Sequence, residues 1–274
     1  MTTNLRAAAK VLGVVFAAVT LVSAKDAKIS AEELVAKHLQ SIGSPENRAA
    51  AKSRMSQGKV VFSEIINRNL HVEGASSVVS QGHKFKCSFK FAVSQYPGEQ
   101  LVFDGQKVMV GMIDATSRSN LGTFLYLHDE LLHDGLFGGA LSTGWLLLDA
   151  FQSGAKLKYE GMHKIDGRPL HDLRYLTGKS RANEEMSIHL YFDPATYRHV
   201  MTVYTLTIRN SSGLASEGTD ETQQTLEERF DDFRPVEGLT LPRHWVVRYT
   251  VTPQSKEQEY QWDSSFESVS QNNF

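Results

Sequence analysis

Between positions 83 and 93 the chain reads HKFKCSFKFAV, and two chemical classes take strict turns. Phe85, Cys87, Phe89, Phe91 and Val93 hold one set of alternate positions. Lys84, Lys86, Ser88 and Lys90 hold the other. Alternate side chains of a strand point to opposite faces, so the segment predicts a strand with one apolar and one basic, solvated face. That is the pattern of an antiparallel sheet covered on one side only.

Runs of the same kind predict strands over 59–66 and 72–81 before this segment, and over 100–103 and 107–113 after it. Asp104-Gly105 between the last two is a favoured two-residue hairpin signal. Further strands are expected over 155–161, 168–176, 185–192, 199–209, 222–234, 241–252 and 258–269, with turn signals at Asp166-Gly167, Gly178 and Asp193-Pro194. Two stretches break the alternation. Residues 30–42 carry a capping box, Ser30 with Glu33, and an apolar stripe of Leu34, Val35, His38, Leu39 and Ile42, followed by Gly43 and Pro45. A second short helical piece is expected over 46–55. Residues 120–133 repeat Leu121, Phe124, Leu125, Leu127, Leu131 and Leu132 at helix-like spacing, and 134–151 add glycines and a further apolar run. Short sequential strands imply a large antiparallel meander, which twists and must cover its apolar face. The fold class expected is mainly β (α+β): a curved antiparallel sheet, an unclosed β-barrel of about eleven strands, with the helical segments over its concave face.

At the N-terminus, Arg6 and Lys10 precede an apolar run of about a dozen residues over 11–22, too short for a comfortable membrane span. Val22-Ser23-Ala24 ends it with small side chains. The reading is a signal peptide over 1–24, cleaved after Ala24, and a single domain over 25–274; a retained anchor helix is the rival. The formal charge of −2 becomes more acidic without Arg6 and Lys10, and offers no electrostatic reason to expect nucleic acid. Cys87 is the lone cysteine, so no internal disulfide exists, and its place on the apolar side of a strand reads as a small buried hydrophobe.

Motifs for chemistry fail on spacing. His128 and His133 are five positions apart, which turns one about 140° from the other on a helix; a zinc-binding HExxH needs them four apart. Gly139-Ala-Leu-Ser142-Thr-Gly144 lacks the glycine two before the serine of a nucleophile elbow. Neither a Walker loop nor GxGxxG occurs. The aromatics between Lys84, Lys86 and Lys90 face away from them, whereas a nucleic-acid platform needs both on one surface. No catalytic residue, metal site or cofactor is assigned. A hydrolase on an open β-scaffold remains the enzymatic alternative, with Ser142, His128 and Asp231 as its candidates.

What remains is the apolar face. Phe85, Phe89, Phe91, Phe103, Ile188, Leu190, Phe192, Tyr204, Leu206, Trp245 and Tyr249 share it if registers hold. They are either a packed core or the wall of a cavity for a lipid chain, with Phe124, Leu127, Leu131 and Leu132 on a hinged lid. The order of segments points the same way. The signal, the helix ELVAKHLQSIG (33–43), the strand QGKVVF (57–62), then YEG…IDGR, LYFDP (190–194) and FRPVEGLTLP (233–242) resemble exported proteins of the LolA-like, outer-membrane lipoprotein-sorting type. The resemblance implies an unclosed barrel with helices plugging its concave face and binding of lipid or lipoprotein acyl chains in the periplasm, with envelope membrane proteins as further partners. It also implies a cavity arginine that governs release, for which Arg54, Arg68 and Arg174 are the candidates. An envelope interaction module without ligand is the non-carrier alternative.

Overall fold

The structure is a computed structural model and describes residues 29–66, 70–113, 117–178, 182–210, 220–252 and 257–273. The segment read as a signal peptide and Arg68 lie outside these residues.

Two helices lead in. In α1 (Ala31–Ile42) the Ser30 side chain accepts the Glu33 N–H, and Leu34, Val35, His38 and Ile42 are buried, as the stripe predicts. α2 (Pro45–Ala50) has Pro45 in its first turn and Ser44 as its cap. It is shorter than the sequence suggests, because the chain is already extended at Ser53.

Twelve described strands then form one antiparallel sheet: β1 (Ser53–Glu64), β2 (His71–Gln81), β3 (Lys84–Phe91), β4 (Gly98–Phe103), β5 (Val108–Met112), β6 (Leu157–Ile165), β7 (Arg168–Tyr175), β8 (Glu184–Phe192), β9 (His199–Asn210), β10 (Asp220–Val236), β11 (Leu239–Thr252) and β12 (Gln258–Gln271). The spatial order is β5-β4-β3-β2-β1-β12-β11-β10-β9-β8-β7-β6. Every neighbour follows its neighbour in sequence except β1 and β12, which join the two meanders from Arg54↔Gln271 to Glu64↔Tyr260. β5 and β6 are left as free edges, so the barrel is unclosed, as expected.

β3 shows the predicted alternation in full: Phe85, Cys87, Phe89 and Phe91 are buried, while Lys84, Lys86 and Lys90 are exposed. Between β5 and β6 the chain crosses the concave face. It forms α3 (Asn120–Leu127), α4 (Glu130–His133) and two short 3-10 turns, Gly139–Leu141 and Leu146–Leu148. The expected helix over 120–133 is thus broken at His128 and Asp129. Gly135, with φ +67°, lies so close to Gly144 that an added Cβ would stand 2.0 Å from the Gly144 carbonyl oxygen. Residues 120–151 therefore make a folded cover whose own turns fix its shape.

Candidate functional site

The eleven floor residues lie together. Phe85, Phe89 and Phe91 on β3, Phe103 on β4, Ile188, Leu190 and Phe192 on β8, Tyr204 and Leu206 on β9, and Trp245 and Tyr249 on β11 are each at most 4% exposed and belong to one apolar cluster. Phe124, Leu131 and Leu132 of the cover are buried in that cluster; Leu127 is 49% exposed on the cover's outer side. Rings interleave across the boundary. Phe137 of the cover sits 5.4 Å from Trp245 and 6.2 Å from Phe85, and Phe124 sits 5.4 Å from Tyr249. The cover's side chains thus fill the concave face, supported on one flank by α1, whose His38 packs edge-on against Trp145 at 4.9 Å.

Buried polar side chains that alternation alone did not single out tie the cover down. Glu228, on β10, accepts from the Gly138 N–H of the cover at 2.8 Å, the Tyr204 hydroxyl at 2.7 Å and the Trp245 indole at 3.0 Å. Burial pushes its carboxyl up to about 7, against the pull of those three donors. Arg54, on β1, donates to the Ala140 carbonyl of the cover, and burial draws its guanidinium down to about 10, so it stays charged at neutral pH. Thr143 N–H donates to Ser80 Oγ at 2.9 Å. Near the start of α3, Glu99 is fully buried and accepts from Tyr96 OH at 2.7 Å; burial raises its carboxyl too, opposed by the Ser119 and Tyr96 hydroxyls. A signal for these groups does exist in the sequence. Leu226-x-Glu228-x-Phe230 and Glu99-x-Leu101-x-Phe103 each place an acid in the apolar phase of a strand.

Of the two candidate arginines among the described residues, Arg54 is on the concave side. Arg174 lies on β7 opposite His189, in the phase opposite to buried Leu173. Cys87 is buried, and burial together with Glu228 and Glu99 drives its thiol well above its ordinary value, so it stays protonated and inert.

The hydrolase candidates sit in three different places. Ser142 is buried in the cover, its Oγ accepting Gly144 N–H; His128 is buried beside Glu130 at 3.6 Å; Asp231 is on the convex face, bound to His244 at 2.8 Å. His133 faces outward to Asp134, away from His128, and no group of three metal-ligating side chains occurs among the described residues. The convex face carries its own imidazole–carboxylate array: buried Asp172 binds His189 at 2.8 Å and His163 at 2.7 Å, and Ser187 meets the far nitrogen of His189 at 3.0 Å. One carboxylate shared by two imidazoles from β6 and β8 clamps three strands together.

Several clefts border the cover, two of which bear on the argument. One, of about 510 Å³, lies between the ends of β4 and β7 and the cover and is lined by His83, Phe103, His133, Asp134, Lys156 and Tyr175. The other, of about 330 Å³, lies where β1 and β12 meet the start of α3.

Neither a family model nor a curated protein sequence matches the chain. Among solved structures it is similar to a LolA superfamily protein from Nitrosomonas europaea, at 12% identity and a TM-score of 0.45 over 90% of this chain and 95% of that one. It is also similar to a domain named for outer membrane lipoprotein sorting from Vibrio parahaemolyticus, at 10% identity and a TM-score of 0.41 over 87% and 94% of the two chains.

Proposed function

We propose that the chain is an exported single-domain carrier or sensor that holds lipid or lipoprotein acyl chains non-covalently in the periplasm, with residues 120–151 as the movable cover, envelope membrane proteins as its delivery partners, and no catalytic role. The signal peptide over 1–24, cleaved after Ala24, belongs to the same proposal.

The observation that carries it is the way the cover is attached. Its grip on the sheet is a set of apolar side chains, among them Phe124, Leu131, Leu132, Phe137 and Trp145, plus a few buried polar bonds from Arg54, Glu228 and Ser80. Burial of an acyl chain in their place contributes about 0.8 kcal/mol per methylene, so a chain of lipid length offsets part of the contacts those side chains give up. The polar bonds then decide the balance. Gly138 N–H and the Ala140 carbonyl need either Glu228 and Arg54 or water, and the guanidinium of Arg54 regains hydration when the cover leaves. Phe85, Phe89, Phe91, Trp245 and their neighbours become the wall of the cavity thus exposed.

The filled concave face also favours a second reading, an envelope interaction module whose core never opens. Titration with a fluorescent fatty acid, combined with amide hydrogen exchange, separates the two. The carrier reading expects saturable binding, with amides at 131–148 losing protection while those of β8 to β11 keep theirs. Absence of binding up to the solubility limit of the probe, together with native mass spectra of periplasm-purified protein free of lipid, overturns it in favour of the module.

A further inference from the structure

The cleft at the end of β1 and β12 has a chemistry of its own. The register Phe62↔Trp262 and Glu64↔Tyr260 puts these four side chains on the concave face, two residues apart along each strand. The start of α3, through Ser119, Asn120 and Leu121, forms the facing wall, and Tyr96 lines it as well. Phe62 lies 4.3 Å from Tyr96, 5.3 Å from Trp262 and 6.4 Å from Tyr260, ring centre to ring centre, so the four rings make a continuous aromatic surface.

Ring faces carry partial negative charge, and carboxylates reinforce it here. Glu64 lines the cleft. Behind the rings, Trp262 Nε1 donates to Tyr96 OH at 2.8 Å, and Tyr96 OH donates in turn to Glu99 Oε1. The Ser119 hydroxyl, at the start of α3, also favours the charged form of the fully buried Glu99. One cation shares the cleft. Arg118 spends its Nε on the Val110 carbonyl and stacks 3.7 Å over Tyr126, and its terminal nitrogens make no hydrogen bond among the described residues. An aromatic wall backed by acids, with a guanidinium on the same cleft, is the charge pattern of a bound zwitterion.

We propose that this cleft binds the alkylammonium–phosphate head group of a zwitterionic lipid, the ammonium against Phe62, Tyr260 and Glu64 and the phosphate on Arg118. Leu121 and Tyr96 connect the cleft to the floor: Tyr96 stacks on Phe91 at 5.4 Å, so a chain attached to the head group runs directly under α3. That path rests on the carrier reading; the head-group site stands on the cleft alone.

The test compares dihexanoyl-phosphatidylcholine with dihexanoyl-phosphatidylglycerol, which has the same chains and a phosphate but no ammonium, by tryptophan fluorescence. Removing a cation–aromatic contact and its acid partner predicts about tenfold weaker binding of the glycerol lipid. Tyr260→Leu and Glu64→Gln each reduce choline-lipid affinity about three- to tenfold and leave the glycerol lipid unchanged, whereas Tyr260→Phe, which keeps the ring, binds as the parent does. Glycerophosphocholine, the head group without chains, binds weakly and loses that binding with the same variants. Equal affinity for the two lipids, or equal weakening of both by Tyr260→Leu, overturns the head-group site and leaves the carrier reading standing. Glycerophosphocholine binding as tightly as the lipid keeps the site and overturns the carrier reading. Binding of neither the lipids nor glycerophosphocholine overturns both.

Discussion

Glu228→Gln tests whether the sheet holds a neutral acid under the cover. An ordinary glutamate titrates near 4.5; burial among Tyr204, Trp245 and the Gly138 N–H moves Glu228 to about 7. A carboxyl whose value is raised on folding contributes its full share below the unfolded value and loses it as pH climbs through the folded one. Between those two values the loss amounts to about 3 kcal/mol for this group. Two buried imidazoles act in the opposite direction, since burial draws His38 down to about 4 and His199 well below its ordinary value. Their contribution fades as pH falls below about 6.5 and is common to parent and variant. Glutamine keeps an oxygen for Gly138 and Trp245 and cannot ionise. Urea unfolding of both proteins at about pH 5 and about pH 8 therefore isolates the effect: the stability of the parent relative to the variant falls by about 2–3 kcal/mol across that interval. A relative stability that stays level, or that rises with pH, refutes the view of Glu228 as an acid kept neutral by burial.

The other expectations concern the cover and the outer face. Gly135→Ala forces a side chain against the Gly144 carbonyl at a positive φ, and thermal unfolding should show a loss of about 2–4 kcal/mol. Trp245→Phe removes one donor from Glu228, costing about 1–3 kcal/mol and moving the pH-dependent interval of the first experiment upward. Leu131→Ala leaves a void between cover and floor worth about 2–4 kcal/mol, and amide exchange of the cover should accelerate more than that of β8 to β11. His244 is pulled down by partial burial but raised overall by Asp263 and Asp231, so its support is present below its ordinary value and lost as pH rises through the folded one. His244→Gln should remove a stability increment seen near pH 6 and absent near pH 9; an unchanged difference between parent and variant would count against the pairing.

Alternation made the sheet legible because half of each strand faces water and half faces the floor. Phe85 to Phe91 on β3 and Trp245 to Tyr249 on β11 could be assigned a face from spacing alone. It failed where function or tertiary partners override polarity. The first strand begins at Ser53, six residues before its apolar run, because Arg54 and Ser56 occupy core positions as polar groups and Arg54 is answered by the Ala140 carbonyl. Glu228 and Glu99 were hidden for the same reason: a buried acid is identified by its donors, and those come from other strands and from the cover. The helical spacing of 120–133 was real but could not show the break at His128, where the chain turns to follow the curve of the floor. The apolar wall of the head-group cleft was missed because Phe62, Tyr96, Tyr260 and Trp262 come together from the two ends and the middle of the chain.

The pairing of β1 with β12 gives the chain a circular character. Its first and last strands are neighbours, while the free edges β5 and β6 are consecutive in sequence and joined through the cover. Strand pairing would therefore survive a circular permutant in which a linker leads from the end of β12 to the start of α1 and new termini open at Gly154, where an added Cβ would meet nothing within 4 Å. In such a molecule β12 leads through α1 and α2 into β1, and the ladder from Arg54 to Glu64, which now waits for the closure of a loop that holds all the other strands, becomes a shorter-range contact. Its refolding should be faster than that of the natural order, because the separation of β1 from β12 along the chain, rather than any single contact, is the kinetic cost of this architecture.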